Sequence, residues 1–161
     1  VCPCGYYTHP GRSWRCSPLQ IEKYLSRISG PVTDRIDIHI EMPPVKYKEL
    51  SGLPTGEPSS KIRERLRKSR ERQLHRFKGR KNIFANGDME SRDIRKFCTV
   101  DAKGDELLKM AITKLGLSAR AYDRILKVAL TIADLENSDE IRPEFISEAI
   151  QYRSLDRTLW M

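Results

Sequence analysis

"SARAYDRILKVALTIADLE", residues 118–136, spaces Tyr122, Ile125, Leu126, Ala129, Ile132 and Ala133 as one face of a helix, with Leu135 at its margin. Ser118 stands where a cap belongs, because its hydroxyl accepts from a backbone N–H left open by the first turn. Arg120 falls inside that first turn, where a cation opposes the helix dipole. It is either a solvated charge or a cation placed there for a partner outside the helix. The neighbouring stretches repeat the pattern. "DAKGDELLKMAITKLG" (101–116) has Asp101 as cap and Gly116 as stop, and turns Leu107, Leu108, Ala111, Ile112 and Leu115 inward. "RPEFISEAIQYR" (142–153) opens on Pro143 and buries Phe145, Ile146, Ala149 and Ile150, with Tyr152 at the edge. Residues 90–98 predict a short helix in which Cys98 packs as a small hydrophobe. With the segment that precedes them, these stretches predict about four helices over 61–153, a small bundle.

The preceding segment is basic. Residues 61–81 hold eleven Lys/Arg against Glu64 and Glu71, a local charge of +9 in a chain of +8, so the remainder is near −1. Ile62, Leu66, Leu74 and Phe77 give this helix a thin apolar stripe. The other face is either a solvated surface or a contact for nucleic-acid phosphates, with Arg65, Arg67, Arg70 and Arg72 as the candidate contacts. Only His75 and Phe77 interleave with the cations, so base stacking is not indicated.

Before the basic helix, "SGLPTGEPSS" (51–60) reads as a linker. Residues 1–50 are of another kind. "SPLQIEKYLSRIS" (17–29) predicts a short helix capped by Ser17, and Gly30-Pro31 ends it. "RIDIHIEM" (35–42) alternates with period two and predicts a strand over 36–42 with one buried face. A lone strand leaves its backbone groups unpaired, so the pattern implies further sheet neighbours. The expected organisation is a core fragment (1–50), a linker (51–60) and a helical region (61–161).

No run of 18 apolar residues and no secretory leader pattern is present. Four unevenly spaced cysteines do not form a secreted disulfide framework and fit a reducing, cytoplasmic setting. No Gly-x-x-x-x-Gly-Lys-Ser/Thr loop and no Gly-x-Ser-x-Gly turn occurs, and His9, His39 and His75 are scattered. The chain alone is therefore not expected to be a self-sufficient enzyme. Two features carry chemistry. Asp34-Arg35, after a Gly-Pro turn, fixes a guanidinium at the mouth of the strand; it is a solvated strand end or a phosphate-seeking fork. "VCPCGYYTHPGRSWRCSP" (1–18) gathers Cys2, Cys4 and Cys16 with His9, and reads as a metal site, a redox motif or the edge of something larger.

The wording and order of "CPCGYY", "CSPLQIEKYLSRISGPVTDRIDIHIEMPPV", "IRERLRKSRERQ" and "LGLSARAYDRILKVALTIADLENSDEIRPEFISEAIQYRSLDR" resemble the C-terminal part of the magnesium-chelatase-like AAA+ ATPases over residues 2–157. The resemblance implies a mainly α fold: a helical lid preceded by one helix and one strand of an α/β core. It implies that Arg35 is an arginine finger reaching a neighbouring subunit's γ-phosphate, and that Arg120 is a second sensor arginine. Preorganised cations at both places suit the charge that moves during phosphoryl transfer. ATP and Mg²⁺ are then the ligands of the whole protein, a hexameric ring of copies its assembly, and DNA a possible partner, since the family includes branch-migration helicases. The family's phosphate loop, its Asp-Glu strand and its sensor asparagine lie upstream of Val1, so the segment by itself is expected to be inactive. Family members often carry a second Cys pair, and Trp14 stands at the missing position. His9 could replace that ligand around Zn²⁺; reduced thiols without metal, and redox chemistry, remain the other readings.

Overall fold

The computed structural model describes residues 2–7, 11–40, 42, 45, 51–52 and 56–153. Seven α-helices lie among them: α1 (Pro18–Leu25), α2 (Gly30–Thr33), α3 (Ser59–Arg76), α4 (Ser91–Phe97), α5 (Ala102–Leu115), α6 (Ala119–Leu135) and α7 (Pro143–Gln151), with a 3-10 turn at Asn86–Asp88.

Helix α6 is the axis of the fold. Ala121, Ile125, Ala129 and Ala133 are essentially sealed from solvent, and α7, α3, α4 and the 3-10 turn all pack against it. Its three buried alanines let the partner helices approach closely. Ser118 caps it, accepting from Ala121 N–H at 3.1 Å. The other predicted caps form as well: Asp101 accepts from Gly104 N–H at 2.7 Å, and Ser17 forms a reciprocal box with Gln20. Gly116 ends α5 in the left-handed conformation, φ +60°.

α5 meets α7 at Gly104, where an added Cβ would stand 2.6 Å from Ile146 Cδ1. Ile146 is fully buried and has little room to yield. Gly104→Val is therefore expected to cost about 1–3 kcal/mol through overpacking, read as a lower urea midpoint. A variant as stable as the parent would contradict this packing.

The structure corrects three sequence expectations. No β-strand occurs among the described residues. Residues 36–40 have no regular structure, with a bend at Asp37, and Ile36, Ile38 and Ile40 stay exposed. The segment is held by chain contacts: His39 N–H donates to Tyr152 C=O at 2.8 Å, and Arg153 donates to Ile36 C=O. Alternation records what this segment would bury inside a sheet, and no sheet neighbour lies among the described residues. Second, Ile62, Leu66 and Leu74 of α3 are exposed, while Ser69, Gln73 and Phe77 are buried. The first half of α3 is exposed throughout, and the half that packs does so on a buried carboxylate of α6, so polar side chains face polar ones. Third, Ile112 is exposed, while Leu108 and Ala111 carry the buried face of α5. Gly30-Pro31 also opens α2 instead of forming a bare turn.

Candidate functional site

The C-terminal end of α2 delivers Asp34 and Arg35 to the start of α6. Asp34 Oδ1 accepts a hydrogen bond from the capping Ser118 hydroxyl at 2.9 Å. Asp34 Oδ2 lies 3.5 Å from Arg120 Nη1, and Asp34 Oδ1 lies 3.6 Å from Arg153 Nη2. One turn further along α6, Arg124 pairs with Asp37. Arg153 is 1% exposed and holds both the Asp34 carboxylate and the Ile36 carbonyl. The lid helix and the chain after α7 thus grip the residues on both sides of Arg35.

Arg35 itself is exposed, and its guanidinium makes no ion pair among the described residues. It is a charge on a pinned backbone. Arg120 is nearly as available: its side chain is 55% exposed and its one ion pair among the described residues, at 3.5 Å, is a surface one. Such pairs contribute about 0–1 kcal/mol, so a phosphate carrying more charge would outcompete the Asp34 carboxylate. Four guanidinium groups against two carboxylates leave this corner with a surplus of two positive charges. Arg35 and Arg120 are its two exposed cations.

The four arginines expected to touch nucleic acid divide into two pairs. Arg65 pairs with Glu57 at 3.0 Å and Arg67 with Glu71 at 2.6 Å, both on the exposed surface. Arg70 donates to Phe84 C=O at 2.5 Å, and Arg72 donates to Asn137 Oδ1 and Ser138 C=O at 3.0 Å each while pairing with Asp139. Arg70 and Arg72 therefore tie α3 to loops of the bundle. Sequence reasoning missed the centre of this network, Asp134, whose side chain is fully buried. Arg76 Nη1 and Asn86 Nδ2 each donate to its Oδ2 at 2.8 Å. The available signal was a carboxylate four residues after Leu130 and eight after Leu126, on the apolar face of α6.

Cys2, Cys4 and Cys16 converge, with all three sulfurs within 4.8 Å of one another and Cys2 Sγ 3.1 Å from Cys4 Sγ. Hydrogen bonding from the Tyr6 backbone, then from the Cys2 thiol, lowers the Cys4 thiol to about 6. Hydrogen bonding to Cys4 raises the Cys16 thiol. One thiolate at Cys4 is thus supported by its neighbours. His9 lies outside the described residues. Cys98 is buried apart from this group, as expected, and burial pushes its thiol up to about 12.

Known proteins share this sequence. The family described as magnesium chelatase, subunit ChlI C-terminal, matches residues 56–153, and magnesium chelatase, subunit ChlI, matches residues 1–50. Competence protein ComM of Haemophilus influenzae is 42% identical over 158 residues, 98% of this chain and 30% of the relative. YifB of Escherichia coli is 40% identical over 159 residues, again 98% and 30%. Rv2897c of Mycobacterium tuberculosis is 27% identical over 155 residues, 94% of this chain and 29% of the relative. The chain spans about 30% of the length of its more similar curated relatives. Among the described residues, no helix is long and apolar enough to cross a membrane.

Proposed function

We propose, from the premise that this chain belongs to the magnesium chelatase subunit ChlI family, that it serves ATP hydrolysis at the contacts of a cytoplasmic ring. In this reading Arg35 is the arginine finger directed at ATP held by a neighbouring copy, and Arg120 is the lid arginine that senses nucleotide. The supporting observation is one piece of geometry. Arg35 stands exposed and without an ion pair among the described residues, while Asp34 and Asp37 beside it are paired to Arg120, Arg153 and Arg124. A finger has to hold its backbone fixed and its charge unspent until the phosphate arrives, because preorganisation is what lowers the barrier.

Mg²⁺ accompanies ATP in such chemistry, but the carboxylates at this corner do not fit it. Asp34 and Asp37 are each taken by arginine, so neither carboxylate of this corner is left over for the metal. The isolated chain, lacking a phosphate-loop motif, is expected to release no phosphate from Mg·ATP above background. Sustained turnover by the purified chain would overturn this division of labour.

DNA is the proposed substrate of the ring, supported by the +9 segment at residues 61–81. Arg65 and Arg67 are the contacts to test, since their present partners are exposed glutamates. Neutralising both to glutamine is expected to make the dependence of log K on log salt shallower by about 1.8, at about 0.9 per duplex phosphate contact. An unchanged slope would remove α3 from the DNA surface. Arg70→Gln and Arg72→Gln are unsuitable probes, because they also loosen the bundle.

A further inference from the structure

We infer that Cys2, Cys4 and Cys16 bind one Zn²⁺ ion, which closes the loop that precedes α1. The inference stands on local geometry and is independent of the ATPase reading.

The described residues of the loop, 2–7 and 11–16, form no helix or strand, and residues 11–15 are all exposed, yet Cys16 lies beside Cys2 and Cys4. An edge-on Tyr7–Trp14 pair at 5.6 Å and Arg12 donating to the Tyr6 hydroxyl at 2.6 Å also join parts of it. Cys2 is 3% exposed but does not belong to the hydrophobic core; its burial occurs in this loop, beside the other thiols. Gly5, at φ +78°, donates its N–H to Cys2 C=O at 3.0 Å. That tight turn sets two sulfurs side by side directly before the chain departs.

Three sulfurs so placed gain little as hydrophobes, and as thiolates they repel. A thiophilic cation resolves both problems. Zinc bonded to sulfur at about 2.3 Å in a tetrahedron holds its sulfurs roughly 3.8 Å apart, inside the span observed here. The Cys2–Cys4 separation of 3.1 Å opens to that value by small side-chain rotations. Iron–sulfur clusters take four cysteine ligands, and this group offers three. Those three leave the fourth zinc position to water or an outside ligand.

Elemental mass spectrometry of the full chain, purified under reducing conditions from zinc-supplemented medium, tests the proposal. The expected result is about one zinc per chain, lost at least tenfold in Cys16→Ser and retained in Cys98→Ser. Helical circular dichroism should be unchanged in Cys16→Ser, since this loop lies outside the bundle. Should Cys16→Ser fail to fold, Co²⁺ titration of the parent chain replaces it: thiolate-to-metal absorption should develop to one equivalent and vanish after alkylation. Overturning results are zinc retained in Cys16→Ser, another metal in its place, or a metal-free chain. A chain lighter by two hydrogens with Cys2 bonded to Cys4 would assign the pair to disulfide chemistry instead.

Discussion

Replacing Arg35 by alanine is expected to slow ATP turnover of the assembled protein by roughly 10³–10⁵-fold, the range an arginine finger supplies. That corresponds to about 4–7 kcal/mol of transition-state stabilisation. The loss should fall on catalysis and leave folding intact. Arg35 is exposed and has no ion pair among the described residues, so its removal breaks nothing in this chain. The melting temperature of Arg35→Ala should therefore match the parent. Lysine should restore only part of the rate, because an ammonium is a point charge and cannot fork across two phosphate oxygens. The decisive experiment mixes subunits. A finger acts on the neighbour's ATP, so Arg35→Ala subunits combined with subunits unable to bind ATP should recover turnover that neither has alone. If Arg35→Ala rings hydrolyse ATP within a factor of two of the parent, Arg35 is not the finger.

The turn that carries Arg35 also marks where sequence reasoning stops. Caps and stops were legible because they are local: Ser17, Asp101, Ser118 and Gly116 each act on atoms within a few residues. The buried face of α6 was legible because helical period converts spacing directly into a side. Ion pairing was not. Asp134 and Arg76 are 58 residues apart, and nothing in a run of arginines says which of them a distant carboxylate will claim. The same charge count covered Arg65, on a solvated surface, and Arg72, fastened to the loop after α6. Segment 36–42 failed for a related reason, since alternation needs a sheet to select its buried face. Arg35 and Arg120 stand out one by one, the latter by its place in a first helical turn, and their finger and sensor roles come from resemblance. That Asp34 sits between them, bonded to the cap of the lid helix, is a tertiary fact.

Asp134→Ala is expected to destabilise the bundle by about 3–5 kcal/mol, as breaking a buried ion pair from one side does. The carboxylate lies with its side chain fully buried between α3, α6 and the 3-10 turn. Its removal leaves Arg76, only 16% exposed, without its buried counter-charge: the neutral Asn86 Oδ1 at 2.8 Å still accepts from it, and the Asn86 amide keeps only the Thr131 hydroxyl at 3.1 Å. At about 2–4 °C per kcal/mol for a chain of this size, the melting temperature should fall by roughly 6–20 °C. Asp134→Asn should fall between parent and alanine, because the amide keeps one acceptor but loses the charge. The pair suits a helix whose apolar side chains Ile62, Leu66 and Leu74 are exposed: the residues of α3 that pack are Ser69, Gln73 and Arg76, and only Phe77, directly after it, enters the apolar core. A basic helix can be docked onto an apolar bundle only if the bundle supplies negative charge at the contact, and Asp134 is that charge. The double variant Asp134→Leu/Arg76→Met, which removes both ions and fills the space, should recover most of the loss. If Asp134→Ala unfolds at the same urea concentration as the parent, α3 is held by its ends and not by this carboxylate.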